Sequence, residues 1–148
     1  MELLFSVSGL VVMPAWFALA GIPFWYPSIV RWIQWSVPTL LGLAYLALIW
    51  VYWGSSTGGY DSLAAVRELF TSDGLLLAGW LHYLAFDLFI GAWIVEQAQR
   101  SGIAHGWVLP CLPLTFLFGP IGLLAFYFVL LLHRIWYRTR PPQEQASA

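Results

Sequence analysis

The sequence contains little charge and no lysine. Only 9% of its 148 residues are charged, whereas a soluble domain carries about 25%. So few charges cannot cover a surface that faces water, and 61% of the chain is hydrophobic. The composition therefore predicts an integral membrane protein. The net charge of −1 provides no basis for binding nucleic acid.

Potential metal ligands are also scarce. The single cysteine, Cys111, excludes an internal disulfide and a cysteine-rich metal site. A bis-histidine haem needs two histidines at matching depth, and only His82 lies deep in an apolar segment. A non-haem iron site needs more histidine and carboxylate ligands than the apolar segments contain. We therefore expect no metal and no cofactor.

Four apolar segments are near the length of about 20 residues that a helix needs to cross a bilayer. They are Leu3–Phe24, Val37–Trp53 (with a start as early as Pro27 and a bend at Pro38), Leu75–Ile94 and Val108–Leu132. The sequence thus predicts an all-α fold, a single bundle of four transmembrane helices over residues 1–138. The polar residues 139–148 are expected to form a disordered tail.

The ends of the first segment and the arginines predict the topology. Glu2 precedes the first segment and no basic residue does, so we expect a membrane span rather than a cleaved signal peptide. With four spans, both termini lie on one side of the membrane. That side holds four arginines and the other side holds two, Arg31 and Arg100. The positive-inside rule then predicts that both termini are cytoplasmic.

The connection between the second and third segments contains a short helical pattern over residues 60–70. Its apolar positions recur at helical spacing: Leu63, Val66 and Phe70. This pattern favours a short amphipathic helix that either lies on the membrane surface or caps the bundle. Asp61 is its expected N-cap, and Ser72 or Asp73 is the expected cap of the third segment.

His82 and Asp87 lie close to the middle of the third segment, about 4 Å on either side of its centre at 1.5 Å per residue. A charged aspartate at that depth costs about 2.5–3.5 kcal/mol, so such residues usually face the bundle interior. Since no arginine lies within any segment, Asp87 must be protonated or hydrogen-bonded. Candidate donors are His82, Tyr83, Tyr45, a tryptophan N–H or a hydroxyl group.

The five-residue spacing separates the directions of His82 and Asp87 by about 140° around a helix. Either the two side chains face different neighbouring helices or both flank a central cavity. Tyr83 precedes Asp87 by four residues and shares its face. The alternative to a chemical role is that both polar groups fasten helices together, with about 0.6–2 kcal/mol from each contact.

Pro120 interrupts the fourth segment. A proline within a helix removes one hydrogen bond and clashes with the carbonyl four residues earlier, here that of Phe116. Free backbone acceptors at this depth are tolerated only inside protein or beside a cavity. Gly119 and Gly122 allow a helix or a flat ligand to approach closely. The alternative is an ordinary proline kink with small-residue packing.

Two stretches resemble a known family. WLHYLAFDLFIGAWI (80–94) and CLPLTFLFGPIGLLAF (111–126) are similar to the abscisic acid-deficient 4-like family of small membrane proteins. The resemblance covers most of the chain, and its most specific blocks are FTSDGLLLAGWLHYLAFDLF and FGPIGLL. Plant members of this family are required for making neoxanthin from violaxanthin, and bacteria carry shorter relatives.

The resemblance implies an enzyme that modifies a carotenoid or another isoprenoid without redox chemistry. The expected reaction is epoxide opening of the neoxanthin-forming type or cis–trans isomerisation of a polyene. Asp87 is the expected general acid, and His82 is expected to orient it or to act as the base. The residues expected to bind substrate are Tyr45, Trp80, Tyr83, Phe86, Thr115, Phe116, Gly119 and Pro120.

The expected partners are a long apolar isoprenoid, membrane lipid and either a second copy of the chain or enzymes of carotenoid synthesis. Because the chain begins directly with an apolar segment, we expect a bacterial inner-membrane protein. The alternative function is non-enzymatic: a carotenoid-binding or scaffold protein that uses the same aromatic pocket.

Overall fold

The computed structural model describes residues 1–21 and 26–139, with side chains described up to Trp136. Within these ranges the chain is helical and contains no strand, which confirms the all-α prediction. The helices are α1 (Glu2–Gly21), α2 (Ile29–Tyr52), α3 (Leu63–Leu69), α4 (Asp73–Arg100), α5 (Cys111–Phe118) and α6 (Pro120–Thr139). Two short 3₁₀ turns, Trp53–Ser55 and His105–Trp107, follow α2 and precede α5.

Three helices are long and apolar enough to cross a membrane: α1, α2 with the 3₁₀ turn that follows it, and α4. They correspond to the first three predicted spans, although α2 begins at Ile29 and α4 extends to Arg100. Residues 22–24 of the first predicted span lie outside the described residues. The count of four spans is not confirmed, because the fourth apolar segment is divided between α5 and α6.

The central helix of the bundle is α4, and it packs against α2 over most of its length. The ring of Tyr52 lies against Gly74, where an added Cβ would come within 2.5 Å of it. Further along, the ring centroids of Tyr45 and His82 are 5.8 Å apart. Since residue numbers fall along α2 as they rise along α4, the two helices are antiparallel.

The first helix, α1, packs on another side of α4 and runs in the same direction. The rings of Phe5 and Trp80 are 5.3 Å apart near the N-terminal ends of the two helices. Eleven residues further along each helix, Trp16 fills the space above Gly91, where an added Cβ would lie 2.6 Å from the indole. The absence of a side chain at residue 91 therefore lets the bulkiest residue type pack between α1 and α4.

The short helix predicted over residues 60–70 is present as α3, which is shorter than its predicted range. Its N-cap is Ser62 rather than Asp61, because the Ser62 hydroxyl accepts a hydrogen bond from the Ala65 amide at 3.1 Å. Leu69 is its buried residue, whereas Leu63 is exposed. Val66 is half-buried and the Phe70 ring lies against Gly79, so the side that faces the bundle includes two of the three predicted apolar residues.

The fourth apolar segment changes direction at Gly119, between α5 and α6. Gly119 has φ +42°, in the left-handed region that side chains with a Cβ avoid. Pro120 follows it and has no N–H to continue the helix. On either side of this turn the helices pack together, and Gly122 lies directly against Thr115.

Two contacts with α4 show where α6 goes. Gly119 faces Asp87, and the rings of Phe126 and Trp93 are 5.9 Å apart. A straight continuation of α5 would carry residue 126 about 10 Å towards the N-terminal end of α4. Instead, α6 lies beside the C-terminal half of α4, so the segment turns back at the level of Asp87. The predicted continuous span over 108–132 is therefore not confirmed.

Candidate functional site

Asp87 is the buried acid of α4. It is 8% exposed, while the other carboxylates of the described residues are half-buried or exposed. Its side chain points at the turn between α5 and α6, where a Cβ on Gly119 would lie 2.8 Å from Asp87 Oδ1. The acid therefore approaches a stretch of backbone that only glycine leaves open, in the interior of the bundle as its depth predicted.

Tyr83 connects Asp87 to the turn. Its hydroxyl donates a hydrogen bond to the carbonyl oxygen of Phe116. In a continuous helix, the N–H of residue 120 would bond to this carbonyl, but Pro120 has no N–H. The side chain of Tyr83 therefore replaces the missing backbone donor. The same hydroxyl lies beside the Asp87 carboxyl, four residues further along α4. One tyrosine thus contacts both the acid and the broken helix.

Two buried polar atoms have no hydrogen-bond partner among the described residues: Asp87 Oδ2 and Trp16 Nε1. The first is an acceptor when the carboxyl is ionised and a donor or acceptor when it is protonated, whereas the indole N–H can only donate. Buried polar atoms nearly always have a partner, in the protein or in a bound molecule. An oxygen atom of a ligand, or water, would satisfy such atoms.

Trp16 was not among the residues predicted for the site. It packs edge-on against Phe116, with ring centroids 5.5 Å apart, and so reaches the element that carries the turn. Its position becomes meaningful only when α1 and α4 are known to run side by side, because Trp16 then lies opposite Gly91. The pattern within a single helix does not contain this information.

A groove of about 570 Å³ opens between the N-terminal halves of α1 and α4. Its aromatic walls are formed by Phe5, Phe70, Trp80 and Tyr83. The rings of Trp80 and Tyr83 are 5.5 Å apart, so the aromatic surface continues inward to the residue that contacts Asp87. Two acids, Glu2 and Asp73, lie at the outer end. Trp80 and Tyr83 are among the residues predicted to bind substrate, whereas Phe5 and Phe70 had not been assigned to a site.

His82 is placed on a different side of α4 from Asp87. The imidazole is exposed and lies between Tyr45 and Phe86, with ring centroids 5.8 and 4.6 Å away. No hydrogen bond or ion pair joins His82 to Asp87, although both residues are described. Of the two arrangements that the spacing allowed, the structure has the one in which the side chains face different directions. Tyr45 and Phe86 therefore accompany His82 rather than the acid.

Thr115 lies near the turn without presenting its hydroxyl to the groove. It is fully buried, and its hydroxyl donates to the Cys111 carbonyl at 2.8 Å. Its side chain packs against Gly122 of the following helix. Thr115 therefore supports the α5–α6 turn, together with Gly119 and Pro120.

Asp87, Tyr83 and Trp16 bring one carboxyl, one phenol and one indole to the region of the α5–α6 turn, and Tyr83 also lines the inner end of the aromatic groove. A carboxyl in such a place can give a proton to an apolar substrate and take one back, because water does not compete for it. No group of three potential metal ligands occurs within residues 1–21 and 26–139. The described groups thus support proton transfer and binding.

A family model and a curated relative match this chain. The family model described as ABA DEFICIENT 4-like matches residues 3–126. Protein ABA DEFICIENT 4, chloroplastic, of Arabidopsis thaliana is 26% identical over 101 residues, which cover 62% of this chain and 44% of that protein. The match thus spans less than half the length of this relative. No solved structure matches significantly.

The matched range includes Trp16, Tyr83, Asp87 and the turn at Gly119. Because the match extends over most of the sequence, from the second residue of α1 into α6, the chain belongs to the ABA DEFICIENT 4-like family.

Proposed function

We propose that this protein is a membrane-embedded enzyme that isomerises or rearranges a carotenoid or a similar isoprenoid without net redox change. The observation that carries the proposal is the Asp87 carboxyl, which is buried, lacks a partner at Oδ2 and lies beside Tyr83, the residue that lines the inner end of an aromatic groove. Membership of the ABA DEFICIENT 4-like family supports the substrate class.

Asp87 is the proton donor in this proposal. For an epoxide, the carboxyl proton passes to the epoxide oxygen as the C–O bond breaks, and a proton from the adjacent carbon chain is then lost to the carboxylate. For a polyene, the proton adds to one carbon, the neighbouring bond rotates in the resulting cation, and the proton is returned. Both sequences restore the acid and leave the oxidation state unchanged, so they require no cofactor.

Tyr83 and Trp16 position this chemistry. The Tyr83 hydroxyl donates its one proton to the Phe116 carbonyl and lies beside the Asp87 carboxyl, so it fixes the acid next to the α5–α6 turn. The free indole N–H of Trp16 is suited to an oxygen atom of the substrate.

The groove is suited to one end of a long, flat molecule. It is open along its length and has aromatic walls, so a polyene can lie in it while its remainder extends into lipid. The outer acids Glu2 and Asp73 would meet any polar end group near the membrane surface. A carotenoid is about as long as the hydrocarbon layer is thick, roughly 30 Å, which fits this placement.

A decisive experiment compares Asp87→Asn with the wild type in a bacterial host that makes several carotenoids. Asparagine keeps the shape and removes the titratable proton, so conversion should fall about 10²–10⁴-fold. Asp61→Asn is the matched control, because Asp61 is exposed outside the spans. Near-normal conversion by a stably inserted Asp87→Asn protein would leave Asp87 as a helix fastener and refute the proposal.

His82→Gln separates the two roles first assigned to His82. Because the imidazole lies on another side of α4, we expect this variant to keep most of the conversion. A loss as large as that of Asp87→Asn would instead mean that His82 takes part in proton transfer.

The second candidate is a carotenoid-binding protein without turnover. Two features favour it: the groove is open, and among the described side chains no second carboxylate or imidazole lies beside Asp87. Purification from the same host distinguishes the two. Stoichiometric coloured ligand with an unchanged isomer profile supports binding, whereas product formed by pure protein supports catalysis.

We also propose a membrane orientation that differs from the one predicted with four spans. Because α6 lies beside the C-terminal half of α4, its arginines join those at the C-terminal end of α4. That end then holds four of the five arginines in the described residues, namely Arg31, Arg100, Arg134 and Arg138. The positive-inside rule therefore favours a cytoplasmic C-terminus and an N-terminus on the opposite side.

Reporters fused to each terminus test this orientation. We expect a reporter that is active only in the cytoplasm to work after Ala148 and to fail before Met1. Activity of the cytoplasmic reporter at both ends would support the four-span arrangement instead.

A further inference from the structure

A second pocket, of about 550 Å³, opens at the arginine-rich end of the bundle. It lies between the start of α2 and the last turns of α4, far along α4 from the groove that leads to Asp87. Its polar and aromatic lining comprises Ser28, Arg31, Trp32, Trp35, Glu96 and Gln99. None of these residues takes part in the proposed reaction, so the pocket needs a separate explanation.

The charges in this pocket do not cancel. Glu96 is already paired, since its carboxylate lies 2.8 Å from the guanidinium of Arg100. Arg31 lines the pocket and has no ion-pair partner among the described residues. Among the described residues that line the pocket, the one acid is therefore paired and one cation, Arg31, is not.

The walls of the pocket are apolar and aromatic. Trp32 and Trp35 are 73% and 68% exposed, one turn apart at the start of α2. Tryptophan favours the level of the lipid headgroups, where its ring lies among hydrocarbon and its N–H reaches polar atoms. A ligand that fits both features has an anionic head and an apolar body.

The beginning of α2 adds donors to the same place. Ser28 is the N-cap of this 24-residue helix, but its side chain makes no capping hydrogen bond. Its hydroxyl and the amide of Gln99 therefore remain available inside the pocket. Together with Arg31 they form a set of hydrogen-bond donors from two helices, which is the chemistry that a phosphate requires.

We propose that this pocket binds the phosphate of one anionic phospholipid. Arg31 would hold the phosphate, Ser28 and Gln99 would bind oxygens of the headgroup, and Trp32 and Trp35 would pack along the glycerol and the first part of the acyl chains. A lipid is favoured over free phosphate because the aromatic walls have no role towards an inorganic ion. The orientation proposed above turns this end towards the anionic cytoplasmic leaflet.

The test uses the purified full-length protein in a neutral detergent. Binding of phosphatidylglycerol, phosphatidylcholine and inorganic phosphate is measured separately, by native mass spectrometry and by the midpoint of thermal unfolding. The wild type should retain one phosphatidylglycerol and be stabilised by it. Arg31→Gln should weaken this binding about tenfold, the loss expected for a charge-assisted hydrogen bond. The matched control is Arg67→Gln, an exposed arginine at the opposite end of the bundle.

The outcomes are distinct. An equal loss in Arg31→Gln and Arg67→Gln would show only general attraction between charges and would overturn the site. Equal stabilisation by phosphatidylcholine or by inorganic phosphate would overturn the assignment to an anionic lipid. If Arg31→Gln does not accumulate, Gln99→Leu replaces it, and unchanged lipid retention in that variant would count against the pocket. Lipid binding is measured without carotenoid, so neither result depends on the proposed reaction.

Discussion

Replacing Gly119 with alanine should disturb the α5–α6 turn and the acid beside it. Two costs follow from the structure. A φ of +42° is unfavourable for alanine by about 1–2 kcal/mol. The added Cβ would lie 2.8 Å from Asp87 Oδ1, and overpacking of this kind costs about 1–3 kcal/mol. Their sum predicts a loss of about 2–5 kcal/mol in the free energy of unfolding.

The matched control is Gly42→Ala in α2. An added Cβ at Gly42 meets no atom within 4 Å, and alanine is the better helix former by about 0.5–1 kcal/mol. The measurement is reversible unfolding of the purified full-length variants by SDS in mixed micelles. We expect Gly42→Ala to be as stable as the wild type or slightly more stable, and Gly119→Ala to unfold at lower SDS.

A double-mutant cycle with Asp87→Ala separates the two costs. Without the carboxyl, the contact is removed and only the backbone cost remains, so Gly119→Ala should then cost about 1–2 kcal/mol. If Gly119→Ala is as stable as Gly42→Ala, the turn is not held as described and the reasoning is wrong. An unchanged cost in the Asp87→Ala background would refute the contact alone.

Three further predictions concern the neighbours of this turn. Tyr83→Phe leaves the Phe116 carbonyl without its donor and should cost about 1–3 kcal/mol of stability, whereas the exposed Tyr127→Phe should cost little; equal effects would contradict the hydrogen bond. Gly91→Ala should destabilise the protein by about 1–3 kcal/mol in SDS unfolding, because Trp16 occupies the space of the new methyl group; a neutral result would exclude that contact. Trp16→Phe removes an unpartnered N–H, so it should weaken retention of oxygenated carotenoids more than that of hydrocarbon carotenoids. An equal effect on both classes would argue against a hydrogen bond to substrate.

The position of Asp87 shows what a helical pattern can predict. Its depth was read from segment length, and its burial follows from the cost of an acid in lipid. The angle to His82 was also predictable, because helix geometry is regular. Which helix each side chain faces was not, since several arrangements of neighbours have the same angle. The structure therefore separated His82 from the acid that it was expected to orient.

The fourth apolar segment shows the limit of hydropathy. Hydropathy counts apolar residues, and a helix that crosses the bilayer has the same composition as a pair that turns back within it. Gly119 and Pro120 marked the interruption, because glycine permits a positive φ and proline removes a donor. The degree of reversal depends on packing, namely on the contacts of Gly119 with Asp87 and of Phe126 with Trp93.

Composition alone was sufficient for the class of this protein. With 9% charged residues and apolar segments near 20 residues long, the chain suits membrane helices, since each helix satisfies its own N–H and C=O groups. Because charged residues are so few, an aspartate in the middle of an apolar segment identified Asp87 as a candidate site residue. Only the tertiary structure brought Trp16 to Phe116, gave the groove its wall from Phe5 and laid α6 beside the C-terminal half of α4. Those arrangements depend on contacts between residues distant in sequence, which local periodicity does not encode.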